Sequence, residues 1–160
     1  MSADIEQRTE AWFQARIGKA TASRVGELSF GSGVANGGYH VMELYKELAS
    51  TTGNLGDRNG TEFSLSLTSF VHMRVTLLAV QTAGAAKCAA EVHELTINAQ
   101  SGPTITIVRD TTTDGAGTIA AEGWSVTISS PSASILRFAA NSGANTVRFL
   151  ARLEWSEIGN

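Results

Sequence analysis

Residues 145–157, near the end of the chain, alternate apolar and polar side chains with a period of two. One side carries Val147, Phe149, Ala151, Leu153 and Trp155, and the other carries Arg148, Arg152, Glu154 and Ser156, with Leu150 as the apolar exception. Successive side chains of a β-strand point to opposite faces of a sheet, so this pattern predicts a half-buried antiparallel strand. Such a strand needs a second layer against which to bury its apolar face.

The same period recurs upstream, where Phe63, Leu65 and Leu67 alternate with polar residues and residues 70–77 continue the pattern. Further strands are predicted over 87–98, 103–109, 123–129 and 134–140. About seven short strands joined by Gly-, Ser- and Asn-containing turns predict a mainly β fold, an antiparallel β-sandwich or jelly roll. Residues 39–51 fit both periods, because Val41, Leu44 and Leu48 have helical spacing and part of the stretch alternates.

The first 30 residues differ in character and predict a short N-terminal helical arm (1–30), a Gly-rich linker (31–38) and a β-sandwich domain (39–160). Thr9 is a suitable N-cap and Gly18 a suitable C-terminal residue for a helix that carries Trp12, Phe13 and Ile17 on one side. A second short helix is predicted from Thr21 through Leu28.

Charge and composition exclude several classes of function. The net charge of −3 argues against a basic nucleic-acid-binding surface, and one cysteine excludes an internal disulfide framework. No apolar run is long enough for a membrane-spanning helix, and we expect neither a secretory signal nor a membrane partner. No nucleophile elbow, phosphate-binding loop or metal-ligand spacing occurs, so we expect no catalytic residue, no metal and no cofactor.

The remaining chemically interesting residues have structural interpretations. Glu91 and His93 share one strand face, which suits a metal, but we expect them to be solvated polar positions. Asp110 to Gly115 predicts a hairpin turn rather than a calcium loop. Cys88 is predicted to be a small buried side chain, and Trp124 and Trp155 are predicted to be core.

The segment from Gln7 to Arg24 resembles the opening motif of the phage lambda exonuclease and YqaJ-type viral recombinase family. The shared pattern is Gln-x-Thr, then Trp12, then Arg-x-Gly-x-x-Thr-Ala-Ser. The resemblance implies that Arg16 and Ser23 contact a DNA phosphate, and hence an alternative function as a DNA-processing accessory protein. In the other interpretation the segment is an amphipathic attachment arm that packs Trp12, Phe13 and Ile17 on a neighbour.

A second resemblance covers residues 61–158, whose strand order and spacing are similar to a β-domain of phage virion proteins such as tail fibres. The stretches that carry it are Ser50 to Thr52, Phe70 to Val80, Lys87 to Ile97, Gly123 to Ile128, Ile135 to Phe138 and Thr146 to Glu154. This alignment favours a strand over residues 39–51. It implies a non-enzymatic virion structural protein (tail fibre, tail adaptor or head decoration) whose partners are other virion proteins, further copies in a homotrimer and the host surface.

We predict that the purified protein does not digest DNA. The recombinase-family nucleases hold their metal with a Glu-x-Lys or Glu-x-Gln strand, and neither triplet occurs in this chain. The measurement is incubation with linear duplex DNA and magnesium or manganese. Metal-dependent digestion that scales with protein and survives repurification would contradict the prediction.

Overall fold

The computed structural model describes residues 28–31, 37–65, 69–85, 87–99, 106–114, 119–132 and 134–159, which form ten strands and one 3₁₀ turn. The strands are β1 (Leu28–Gly31), β2 (Gly37–Ala49), β3 (Thr52–Asn54), β4 (Phe63–Ser64), β5 (Ser69–Gln81), β6 (Cys88–Asn98), β7 (Thr106–Asp114), β8 (Ser125–Ser129), β9 (Ile135–Asn141) and β10 (Thr146–Gly159). The 3₁₀ turn, Ala120–Glu122, precedes β8.

The larger sheet has six antiparallel strands in the order β1-β2-β10-β5-β6-β7. β10 lies inside it and is paired along nearly its whole length on both edges. Its register with β2 runs from Thr146 opposite Ala49 to Ile158 opposite Gly37, and its register with β5 ends at Gly159 opposite Ser69. β10, the strand whose sequence alternates most clearly between apolar and polar residues, therefore pairs with both β2 and β5 and sets the register of each.

The smaller sheet is built around β9. β8 pairs with one edge of β9. The other edge pairs first with β3, at Asn141–Ala139, and then with β4, at Leu136–Ile135. The backbone N–H of Leu55 also donates to the carbonyl of Phe138, which continues this edge between β3 and β4. All pairings in this sheet are antiparallel.

One core cluster joins the two sheets. The larger sheet contributes the inward rows of β2, β5, β6 and β10, and the smaller sheet contributes Phe63, Leu136 and Phe138, all fully buried. The rings of Phe63 and Trp155 meet edge to face at 5.0 Å. Contacts of this kind between β4 and β10 bury the apolar faces that neither sheet could cover alone.

The mainly β class expected for the body is confirmed. The described residues are mainly β in two antiparallel sheets. Residues 39–51 were compatible with helix or strand by periodicity, and the structure places Gly37–Ala49 in β2. Trp124 and Trp155 are core residues, at 2% and 1% exposure.

Three boundary predictions are corrected. Leu28–Gly31 form β1, so the last residues assigned to the helical arm are a strand that pairs with β2. Gly31 and Gly37–Gly38, which were assigned to the linker, belong to the same β1–β2 pairing. The Gly- and Asn-rich composition of residues 53–60 predicts a turn, but the turn begins later, because Gly53 and Asn54 belong to β3. Asp110 to Asp114 lie in β7 rather than in a hairpin turn, because the ladder with β6 extends to Asp114 opposite Glu91. The predicted helices before Leu28 and linker residues 32–36 lie outside the described residues.

We predict that Phe149→Ala lowers the free energy of unfolding by about 3–5 kcal/mol, because Phe149 is 1% exposed and its loss leaves a cavity between the sheets. The matched control is Arg152→Ala on the opposite face of β10, which should change stability by less than about 0.5 kcal/mol. Urea unfolding of both variants is the measurement. A Phe149→Ala midpoint equal to that of the parent would refute the core assignment.

Candidate functional site

The outer face of the larger sheet, which points away from the smaller sheet, is not uniformly polar. Where β2, β10 and β5 lie side by side, the register aligns Tyr45 with Leu150 and Leu150 with Leu78. Tyr45 is 49% exposed, Leu78 is 42% exposed, and Val80 in the next row is 46% exposed. We call Tyr45, Leu78, Val80 and Leu150 the outer apolar patch.

This patch forms the floor of a groove of about 610 Å³, bounded at one end by an ion pair. Arg148 donates from Nη2 to Oε2 of Glu47 at 2.7 Å and from Nε at 3.1 Å, across the β2–β10 pairing. The two charged side chains thus neutralise each other at the rim. The exposed side chains of the patch adjoin one another, so they form one apolar surface with a polar rim rather than scattered apolar residues.

Toward the opposite end of the same face, charged residues replace the apolar ones. Glu94 on β6 lies 3.6 Å from Nε of Arg74 and 3.4 Å from Nε2 of His72, both on β5. Arg152 and Glu154 of β10 form a further pair at 2.9 Å. This charged band separates the outer apolar patch from Tyr39 and Phe70, which are 42% and 47% exposed near the other end of the same face.

On the inner face, β6 carries a polar pair that fastens the turn before β8. Oε1 of Glu91 accepts the backbone N–H of Ile119 at 2.9 Å, and Oε2 of Glu91 lies 3.7 Å from Nε2 of His93. Both side chains are about nine-tenths buried. Lys87, the residue before β6, adds an exposed contact from Nζ to Oε2 of Glu122 at 2.6 Å, so the turn is held both by β6 and by the residue that precedes it.

A second histidine lies at the far end of the core. The ring of His40 stacks on Trp155 with centroids 4.9 Å apart and planes 11° from parallel. Its Nε2 is 3.3 Å from Oε1 of Glu157 on the adjacent strand. The stacking fixes the ring of His40 over the indole, and this gives the residue a structural role.

Two expectations for single residues are wrong. Glu91 and His93 are not solvated, because both point inward on β6 under the Ile119–Glu122 segment. Cys88 is exposed rather than a buried filler, because it begins β6 on the outward side. Within the described ranges, no group of three or more His, Cys, Asp or Glu residues has an arrangement that could hold a metal ion.

The residues assigned to the arm and to phosphate contact are not part of the described structure. Trp12, Phe13 and Ile17, and likewise Arg16 and Ser23, precede Leu28 and lie outside the described residues. The structure instead brings together Tyr45, Leu78, Val80 and Leu150, which the sequence did not single out as a site. The available signals were the apolar exception at Leu150 and the unbroken apolar run from Leu77 to Val80.

Comparison with known proteins provides no relative: no family model matches the chain, and no curated protein or solved structure matches it. Among the described residues, no helix has the length and apolar character needed to span a membrane.

We predict that Glu91→Ala lowers the free energy of unfolding by about 1–3 kcal/mol, because the N–H of Ile119 loses its acceptor. Glu91→Gln is the matched control and should cost less, since its amide oxygen can still accept that hydrogen bond. Arg148→Ala, which breaks an exposed pair, should cost less than about 1 kcal/mol. Equal losses for Glu91→Ala and Glu91→Gln in denaturant unfolding would contradict the anchoring role.

Proposed function

We propose that the protein is a non-enzymatic structural component of a phage virion, a tail fibre, tail adaptor or head-decoration protein. Its β-body is a two-layer sandwich that serves as a rigid assembly knob, and residues 1–27 serve as an attachment arm. Its partners in this proposal are other virion proteins, further copies of itself and the host surface. It is made in the host cytoplasm and acts in the particle.

The observation that carries the proposal is the outer apolar patch. Tyr45, Leu78 and Val80 expose large apolar side chains in one contiguous area of a regular sheet, where they contribute nothing to the core. Surfaces of this kind are used for contact with another protein segment. The patch therefore supports a role in assembly.

The body has mechanical properties that suit this role. β10 is hydrogen-bonded on both edges to long strands, and its inward row is fully buried. Such a sheet holds its outer face in one geometry, so a docking surface on it is preorganised and loses little entropy on binding. The strand order that resembles a virion β-domain is a second support.

We predict that the full-length chain is found in purified particles by mass spectrometry, and that in solution it has the light-scattering mass of a trimer. The trimer follows from the expectation that virion appendages form closed rotational assemblies. A chain that is absent from particles and strictly monomeric would overturn the proposed function and favour a DNA-processing accessory role instead.

A further inference from the structure

We propose that the outer apolar patch is the docking site of the chain's own N-terminal segment, residues 9–18, which covers the groove with Trp12, Phe13 and Ile17. This inference deepens the proposed function, since it assigns the attachment arm a place on the body in the free protein. It rests on that function only for the arm's role in assembly. The docking itself follows from where the segment joins the sheet.

The chain that follows the segment joins the larger sheet at Leu28, in the strand next to β2. β1 pairs with β2 from Leu28 opposite Val41 to Gly31 opposite Gly38. Because the strands are antiparallel, the chain before Leu28 approaches from the side of Val41 that leads toward Tyr45. An extended continuation of the chain before Leu28 would therefore run toward the half of β2 that carries Tyr45.

A straight continuation of β1 is blocked a few residues before Leu28. The edge of β2 is occupied at Tyr45 by Gly56, whose carbonyl accepts the N–H of Tyr45 at 2.8 Å and whose N–H donates to the carbonyl of Tyr45. The inner side of this loop is filled, since Leu55 and Asp57 are buried. An extended chain would therefore have to leave the edge of β2 before Tyr45, and the filled inner side leaves it the outer face or the solvent beyond the edge.

The span is short enough for the connecting residues. Tyr45 lies four residues along β2 from Val41, which is about 13 Å, and Leu78 lies three strand positions from β1, which is about 14 Å. The straight-line separation of Leu28 and Leu78 is thus about 20 Å. The eleven residue-to-residue steps from Ile17 to Leu28 reach at most about 40 Å when extended, so docking needs no strained connection.

The chemistry of the segment and the groove match. The segment from Thr9 to Gly18 is too short to be a stable helix alone in water and carries three large apolar residues on its predicted apolar side. The groove offers apolar side chains from three strands and a rim in which Glu47 and Arg148 are already paired. Docking buries apolar surface on both sides without leaving an isolated charge. Attachment to the same chain also raises the effective concentration of the segment well above that of a free partner.

The experiment is limited trypsin digestion of the full-length protein, followed by mass spectrometry of the fragments. Cleavage after Arg16 reports on the docked segment, because this bond adjoins Ile17, and cleavage after Lys19, one residue beyond the segment, reports on the chain that follows it. We expect Leu78→Glu, which places a charge in the groove, and Trp12→Ala, which removes the anchor, each to accelerate this cleavage at least tenfold. Thr96→Glu is the matched control, because Thr96 is exposed on the same outer face but lies on β6, outside the groove. In this variant the cleavage after Arg16 should be as slow as in the parent protein.

Circular dichroism and denaturant unfolding confirm that each variant is folded, and Leu78→Met tests whether an apolar side chain restores protection. Fast cleavage of the parent, or an effect of Trp12→Ala without one of Leu78→Glu, would overturn the assignment of the groove. Protection that is lost on hundredfold dilution would mean that a second copy supplies the segment, which overturns docking within one chain. Each of these results can occur while the protein is still present in particles, so failure of the docking is distinct from failure of the proposed function.

Discussion

The register of β10 between β2 and β5 is the constraint on which the rest of the structure depends. A strand displaced by one residue turns every inward side chain outward. In this register Phe149, Leu153 and Trp155 meet the smaller sheet, and Arg148 and Arg152 meet solvent. The loss of any one of these buried groups would cost a few kcal/mol, but a slip would lose all of them together. The free-energy cost of such a slip makes one register of β10 with β2 and β5 far more stable than the others.

The same register creates the outer apolar patch. It aligns Leu150 with Tyr45 on one side and Leu78 on the other, so that three side chains from distant parts of the chain form one row. Core packing does not require this row, since it lies on the face that the smaller sheet leaves uncovered. The row lies about 13 Å along β2 from Val41, the residue opposite the first residue of β1.

The inner face of the larger sheet carries two polar residues among apolar ones, just as the outer face carries apolar residues among polar ones. Glu91 and His93 replace apolar residues on the inward side of β6, where the Ile119–Glu122 segment takes the place of the smaller sheet. Burial of a carboxylate is tolerated because it accepts a backbone hydrogen bond and lies beside the imidazole. The turn that carries Glu122 is thereby fixed to the larger sheet, and β8 begins from a defined point.

The sequence by itself determined the mainly β class, most of the strands and the core faces of β5 and β10. These depend on a local period of two, which is visible in one strand at a time. The tertiary structure alone decided that Gly37–Ala49 is a strand, since its apolar spacing also suits a helix until β10 pairs with it. It also decided that Cys88 is exposed, that Glu91 is buried and that Tyr45, Leu150 and Leu78 are neighbours. Burial and adjacency across strands depend on register and on what covers each face, and neither is recorded in the order of residues along a single strand.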